Sequence, residues 1–155
     1  MAEPVSATIH IDAPAEKVWA MVTDLPRMGE WSPENTGGEW SGTTGAALGA
    51  RFKGTNKGES KSWKTVSKVT ACDAPSHFAF DTMVGPVTFA RWSYRIAPSP
   101  SGGCDVTEQW DDKRNGPARW LSRVATGVKD RATLTKSSIE TTLANLKAAA
   151  ELPPG

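Results

Sequence analysis

The 155-residue chain has a length natural to one domain, and its 38% hydrophobic and 23% charged residues fall in the range of globular proteins. Its net charge of +1 lacks the basic excess of a nucleic-acid-binding module, and no run approaches the roughly 18 apolar residues of a membrane-spanning helix. The opening residues, MAEPVSATIHI, hold no basic stretch followed by an apolar run, so the expectation is a cytoplasmic protein without a secretory signal. Cys72 and Cys104 form no Cys-x-x-Cys pair and stand away from any histidine at metal spacing. They read as reduced, packed thiols, with no metal and no cofactor implied.

In chain order, Val5, Ala7, Ile9 and Ile11 alternate with Ser6, Thr8 and His10, the pattern of a half-buried strand. Pro14 suits a first helical turn, and Val18, Trp19, Val22 and Leu25 recur at helical spacing. Pro26 interrupts, and Arg27 to Trp31 predicts a second short helical turn. An irregular strand around Glu39–Gly42 and a turn at Thr44-Gly45 follow. Strands are then predicted at Ala50–Asn56, Ser62–Cys72, His77–Met83, Val87–Ile96 and Cys104–Trp110, separated by the turn signals Lys57–Ser60, Asp73-Ala74-Pro75, Gly85-Pro86 and Ala97–Gly103. Asn115-Gly116-Pro117 marks a helix start with Trp120, Leu121 and Val124 on its stripe, and Gly127 predicts a break. Val128, Ala132, Thr135, Ile139, Leu143 and Leu146 form one helical face that ends before Pro153 and Pro154. A helix over 128–150 would span about 35 Å and needs a continuous partner surface. Consecutive strands on short turns pair antiparallel, so the class is α+β: a curved six- to seven-stranded antiparallel sheet around a long C-terminal helix, with two short helices after the first strand.

The phrases IDAPAEKVWAMVTDLPRMGEWSPE, RFKGTNKG, SWKTVSKV, RWSYRIAP, CDVTEQWDD and DRATLTKSSIETTLANLKAAAE resemble the SRPBCC superfamily, also called START-like, Bet v 1-like or polyketide cyclase/dehydrase-like, in its small actinobacterial form. The resemblance runs from about Val5 to Glu151 and is anchored on Ala13-Pro14, Val18-Trp19, Asp24 and Trp31-Ser32-Pro33. It implies one ligand-binding domain over 1–155 with a helix-grip fold, in which seven antiparallel strands hold the C-terminal helix with a deep cavity between. Members bind lipids, sterols, polyketides and other apolar molecules, and some are aromatase/cyclases. Cyclases of this kind carry an Arg pair shortly after the Trp of the central strand. Here that region reads Trp63-Lys64-Thr65-Val66-Ser67-Lys68, without Arg.

Seven tryptophans against one tyrosine are more indole than a core of this size needs. An aromatic pocket wall is expected from Trp63, Phe80, Trp92, Tyr94 and Trp110, with Leu121, Val124, Val128 and Ala132 opposite. Met28, Trp31 and Trp40 are expected at the rim, unless Trp31 plugs the packing of the short helices. Glu108, between Val106 and Trp110 on one strand face, would be a carboxyl in an apolar chamber, suited to proton transfer or ligand binding, unless it pairs with Arg91, Arg95 or Arg131. Tyr94 could donate a hydrogen bond to a ligand. His10 and His77 lack an Asp or Ser partner at recognisable spacing. Three functions remain open: binding or carriage of a small hydrophobic molecule by a monomer or weak homodimer; a cyclase, aromatase or dehydratase using Glu108 or Tyr94 to move protons; or a regulatory, protein-interaction domain.

Overall fold

A computed structural model describes residues 4–43, 45–58, 61–128 and 130–152. Its order is β1 (Val5–Ile11), α1 (Ala15–Val22), a 3-10 turn (Leu25–Glu30), β2 (Asn35–Ser41), β3 (Arg51–Lys57), β4 (Ser62–Asp73), β5 (His77–Val84), β6 (Val87–Pro98), β7 (Cys104–Asp112), α2 (Gly116–Thr126) and α3 (Arg131–Ala150). The strands form one antiparallel sheet in the order β1-β7-β6-β5-β4-β3-β2. This is the helix-grip arrangement expected from the sequence. Thr44, two residues of the Lys57–Ser60 turn, and Pro153-Pro154 lie outside the described residues.

Consecutive strands from β2 to β7 pair through short connections, and the chain closes by laying β1 against β7, Val5 opposite Trp110 and Ile11 opposite Cys104. β2 begins earlier than expected, at Asn35, and passes close to β3 at Gly38. A Cβ on Gly38 would stand 2.1 Å from the Lys53 carbonyl oxygen and 2.8 Å from the Phe52 ring, so only glycine lets the strands approach there.

The two short elements after β1 and the long helix close one face of this sheet. α3 packs on β1, β7 and α1; α1 packs on β6; the 3-10 turn packs on β2. Ile139, Leu143 and Leu146 are buried with Phe78, Ile96, Val106 and Val18 in one apolar cluster. Asn145 donates from Nδ2 to the Trp31 carbonyl at 3.0 Å, tying the 3-10 turn to α3.

The C-terminal region is two helices. α2 is capped by Asn115, whose side chain accepts from the Ala118 N–H at 2.9 Å, and it ends at Gly127 with φ 74°, the left-handed terminus that glycine supplies cheaply. α3 starts only at Arg131, capped by Asp130, which accepts from the Thr133 N–H at 3.1 Å. Val128 therefore lies in the connection and not on the helix. Of the expected stripe, Thr135, Ile139, Leu143 and Leu146 are buried, while Ala132, in the first turn, is exposed beside the start of β1.

These placements separate two leucines that look alike in sequence. Leu146→Ala, in the closed part of the core, should cost roughly 2–5 kcal/mol. Leu121→Ala, on an exposed helix face, should stay within about 0.5 kcal/mol of the parent. Urea denaturation of the two variants checks the contrast.

Candidate functional site: a hollow between sheet and helices

Alternate residues of β4 to β7 point to the concave face, and the strand register lines them up side by side. Phe80 stands opposite Trp92, and Trp92 opposite Trp110. One step along, Phe78 stands opposite Tyr94, and Tyr94 opposite Glu108. A cavity of about 290 Å³ lies over this face, at the small end of ligand pockets, which run from roughly 300 to 1,000 Å³. Its aromatic wall holds Trp63, Phe80, Trp92, Tyr94 and Trp110, all five residues that the alternation pointed inward. Phe89 joins them from an odd position. Thr82 pairs with Ala90 and Met83 with Thr88, so Phe89 is a β-bulge residue, and the bulge turns its ring inward.

The opposite wall differs from the expected one. Leu121 and Val124 are each 47% exposed and face away from the cavity, and neither Val128 nor Ala132 reaches it. Ser122, Ala125, Thr126 and Ser138 line it instead. On α2 the positions turned to the protein, Ala118, Ser122 and Thr126, are small or polar, and they recur at four-residue intervals. That interval was visible in the sequence, but a rule that sends apolar residues inward assigns it to the solvent side. Of the three rim candidates, Met28 is among the lining residues, Trp31 is buried at the C-terminal end of the 3-10 turn, and Trp40 packs edge-on against Phe52, 5.3 Å between centroids.

Glu108 sits at the floor, 3% exposed, between Val106 and Trp110. It makes no ion pair with Arg91, Arg95 or Arg131: Arg91 binds Asp81 at 2.7 Å, and Arg131 binds Glu34 at 2.7 Å. Among the described residues its one partner is Tyr94, whose hydroxyl donates to Oε2 at 2.9 Å. Glu108 Oε1 is buried with no hydrogen-bond partner. Burial pushes the Glu108 pKa up to about 8 against the opposing pull of the Tyr94 bond, because a charge in an apolar chamber is poorly solvated. Burial first, and the Glu108 carboxyl next, hold the Tyr94 hydroxyl well above its usual range. Near neutral pH the pair is therefore a neutral carboxylic acid beside a neutral phenol. With Oε2 accepting from Tyr94, the acid proton belongs on Oε1, which leaves Glu108 with one unused donor in a residue that lines the cavity.

Two arginines that the sequence did not single out as lining residues frame the mouth. Arg131 spans from the start of α3 to Glu34, with its guanidinium 5.8 Å from the Trp63 ring centroid. Arg114 grips Asp112 through Nε at 2.8 Å and Nη2 at 2.9 Å, donates to the Ser122 hydroxyl at 3.2 Å, and lies 5.7 Å from the Trp110 centroid. Each cation is neutralised by a carboxylate and stacked on a tryptophan of the wall, which fixes both rings at the entrance. The histidines stay outside the cavity: His10 pairs with Asp105 on the outer face at 2.9 Å, and burial lowers the His77 pKa. Cys72 and Cys104 are free thiols, each held above the usual range by burial.

The chain matches the family model described as polyketide cyclase / dehydrase and lipid transport over residues 3–151, and it belongs to that family. Among solved structures, the polyketide cyclase-like protein Cgl2372 from Corynebacterium glutamicum is 26% identical, with a TM-score of 0.67 over 97% of this chain and 94% of that one. The di-domain aromatase/cyclase StfQ from the steffimycin biosynthetic pathway is 12% identical, with a TM-score of 0.74 over 96% of this chain and 50% of its own. The Aha1 dimer from Colwellia psychrerythraea is 15% identical, with a TM-score of 0.68 over 99% and 100%. The two less identical likenesses speak to the fold alone. No curated protein matches the chain in sequence.

Glu108 gives a pH signature. The unfolded chain's carboxyl ionises near 4.5 and the folded one near 8, so between these values the folded state holds the extra proton. Stability should fall as pH rises through this window and level off above it. Glu108→Gln, which keeps the shape and removes the titration, should flatten that decline in urea denaturation between about pH 5 and about pH 9.

Proposed function

We propose that the protein binds a small, largely apolar molecule carrying a carbonyl or another hydrogen-bond acceptor, in the hollow between the sheet and helices α2 and α3. The observation that carries this reading is a buried carboxyl in the lining of an aromatic cavity, Glu108, whose Oε1 has no partner among the described residues. A buried polar atom left without a partner costs free energy, and a ligand acceptor would take the acid's proton. Six rings supply the apolar contact, and the short side chains of α2 and α3 leave the room. The size favours a fused two- or three-ring compound or a short acyl chain over a sterol. The reading includes a cytoplasmic protein, consistent with its two free thiols, acting as a monomer or weak homodimer.

Native mass spectrometry of freshly purified protein tests this directly. A co-purifying apolar compound, or saturable binding of tricyclic ketones, supports it. A bare protein mass, together with no thermal shift across acyl chains, isoprenoids and aromatic ketones, contradicts it. Glu108→Gln keeps a donor and should retain ketone binding, whereas Glu108→Leu should weaken it by roughly tenfold or more, the worth of one hydrogen bond in a dry site. In the parent, affinity for a neutral ketone should fall above about pH 8, where Glu108 ionises.

A second reading is favoured by one observation: a carboxyl with a pKa of about 8 beside a phenol is poised to exchange protons near neutral pH. In that reading the cavity folds a reactive poly-β-ketone chain and Glu108 protonates or deprotonates it, as a cyclase, aromatase or dehydratase. Turnover of poly-β-ketone mimics that drops at least roughly a hundredfold in Glu108→Gln supports it. Tight binding with no turnover leaves the carrier reading in place.

A further inference from the structure

α2 is turned inside out. Its protein-facing side is Ala118, Ser122 and Thr126, while Trp120, Leu121 and Val124 are exposed by 65%, 47% and 47%. An ordinary surface helix buries its apolar stripe; this one presents it. The helix lies across the end of the sheet where β3, β5 and β7 finish and β4 and β6 begin, and Ser122, Ala125 and Thr126 form part of the cavity wall there. The same end carries Val84 and Val87, 39% and 43% exposed, on either side of the β5–β6 turn, with Val84 also lining the cavity.

Among the described residues, the charged side chains of α2 itself are all basic. α2 carries Arg119 and Arg123 and no acidic residue. Lys61, from the neighbouring turn, donates to the Val124 carbonyl at 2.6 Å, and Lys113 is exposed just before the helix. The neighbouring carboxylate, Asp112, is held by Arg114 and lies 3.6 Å from Arg119. An exposed Trp-Leu-Val stripe flanked by Arg and Lys is the pattern of a helix that lies in the headgroup layer of an anionic bilayer. A second copy of the chain fits less well, since three apolar side chains fall far short of the roughly 20–30 residues a side in a stable protein interface.

We infer that α2 docks the protein on anionic lipid surfaces, with Trp120, Leu121 and Val124 entering the headgroup layer, Arg123 and Lys113 facing lipid phosphates, and Arg119, paired with Asp112, and Lys61, bound to the Val124 carbonyl, at the flanks. Docking sets the cavity mouth against the bilayer. The inference goes beyond the binding reading and does not depend on the cavity holding a ligand.

The test is sedimentation with vesicles of phosphatidylcholine alone and of phosphatidylcholine mixed with phosphatidylglycerol in equal parts. The protein should sediment with the mixed vesicles, much less with the neutral ones, and progressively less as salt rises. Arg123→Gln should lose roughly fivefold in partition, the effect of one charge near the surface. The double variant Trp120→Ser, Leu121→Ser should lose more than roughly tenfold. Leu48→Ser, at another exposed leucine, should sediment as the parent does, and circular dichroism verifies that every variant is folded. Equal partition onto both vesicle types, no partition onto either, or equal losses in the Leu48 and Trp120 variants overturns the inference. So does a concentration-dependent dimer that Trp120→Ser disperses without any vesicle binding. None of these readouts involves a cavity ligand, so this inference and the binding reading fail separately.

Discussion

The site depends on a mismatch in side-chain length across the interior. One wall is built from large rings on alternate positions of β4 to β7, locked side by side by the strand register. The facing positions of α2 and α3 near the mouth are Ser122, Ala125, Thr126 and Ser138, and none is long enough to reach the rings. Deeper along α3 the pattern changes to Ile139, Leu143 and Leu146, and there sheet and helix meet in a closed core. The same helix thus stabilises the fold at one end and leaves room at the other.

That room explains the state of Glu108. Register places it opposite Tyr94, so the phenol reaches one carboxyl oxygen while the second oxygen has no partner among the described residues. A charged carboxylate so poorly compensated would be expensive, and the site responds by keeping its proton. The arginines of the region are engaged elsewhere. Arg131 and Arg114 each have a carboxylate partner at the mouth, where their stacking on Trp63 and Trp110 holds the entrance rings in place. Had either guanidinium reached Glu108, the acid would be an ordinary ion-paired carboxylate.

The strands and their inward faces were legible because period-two alternation is a direct consequence of the pleat. Trp63, Phe80, Trp92, Tyr94, Glu108 and Trp110 could all be read that way. Phe89 could not, because a one-residue bulge inverts the alternation and carries no clear mark in VTFARW. The helical wall was misread for a different reason. Apolar periodicity says that Trp120, Leu121 and Val124 share a side, but only the assumption that apolar means inward says which side, and α2 breaks that assumption. Trp31 and Trp40 were expected at the rim because an exposed indole near a mouth suits ligand entry, with packing of the short helices as the alternative for Trp31. Trp31, at the C-terminal end of the 3-10 turn, is instead buried, and Trp40 packs on Phe52, its partner across the β2–β3 pairing.

The claim that carries the most is the hollow itself, and a crystal structure determined under xenon pressure tests it most directly, because the gas occupies apolar space that protein atoms leave unfilled. The account predicts a xenon peak among Trp63, Phe80 and Trp110 on one side and Ser122 and Ser138 on the other. Van der Waals contact between those rings and the helix side chains, with no xenon between them, would contradict it.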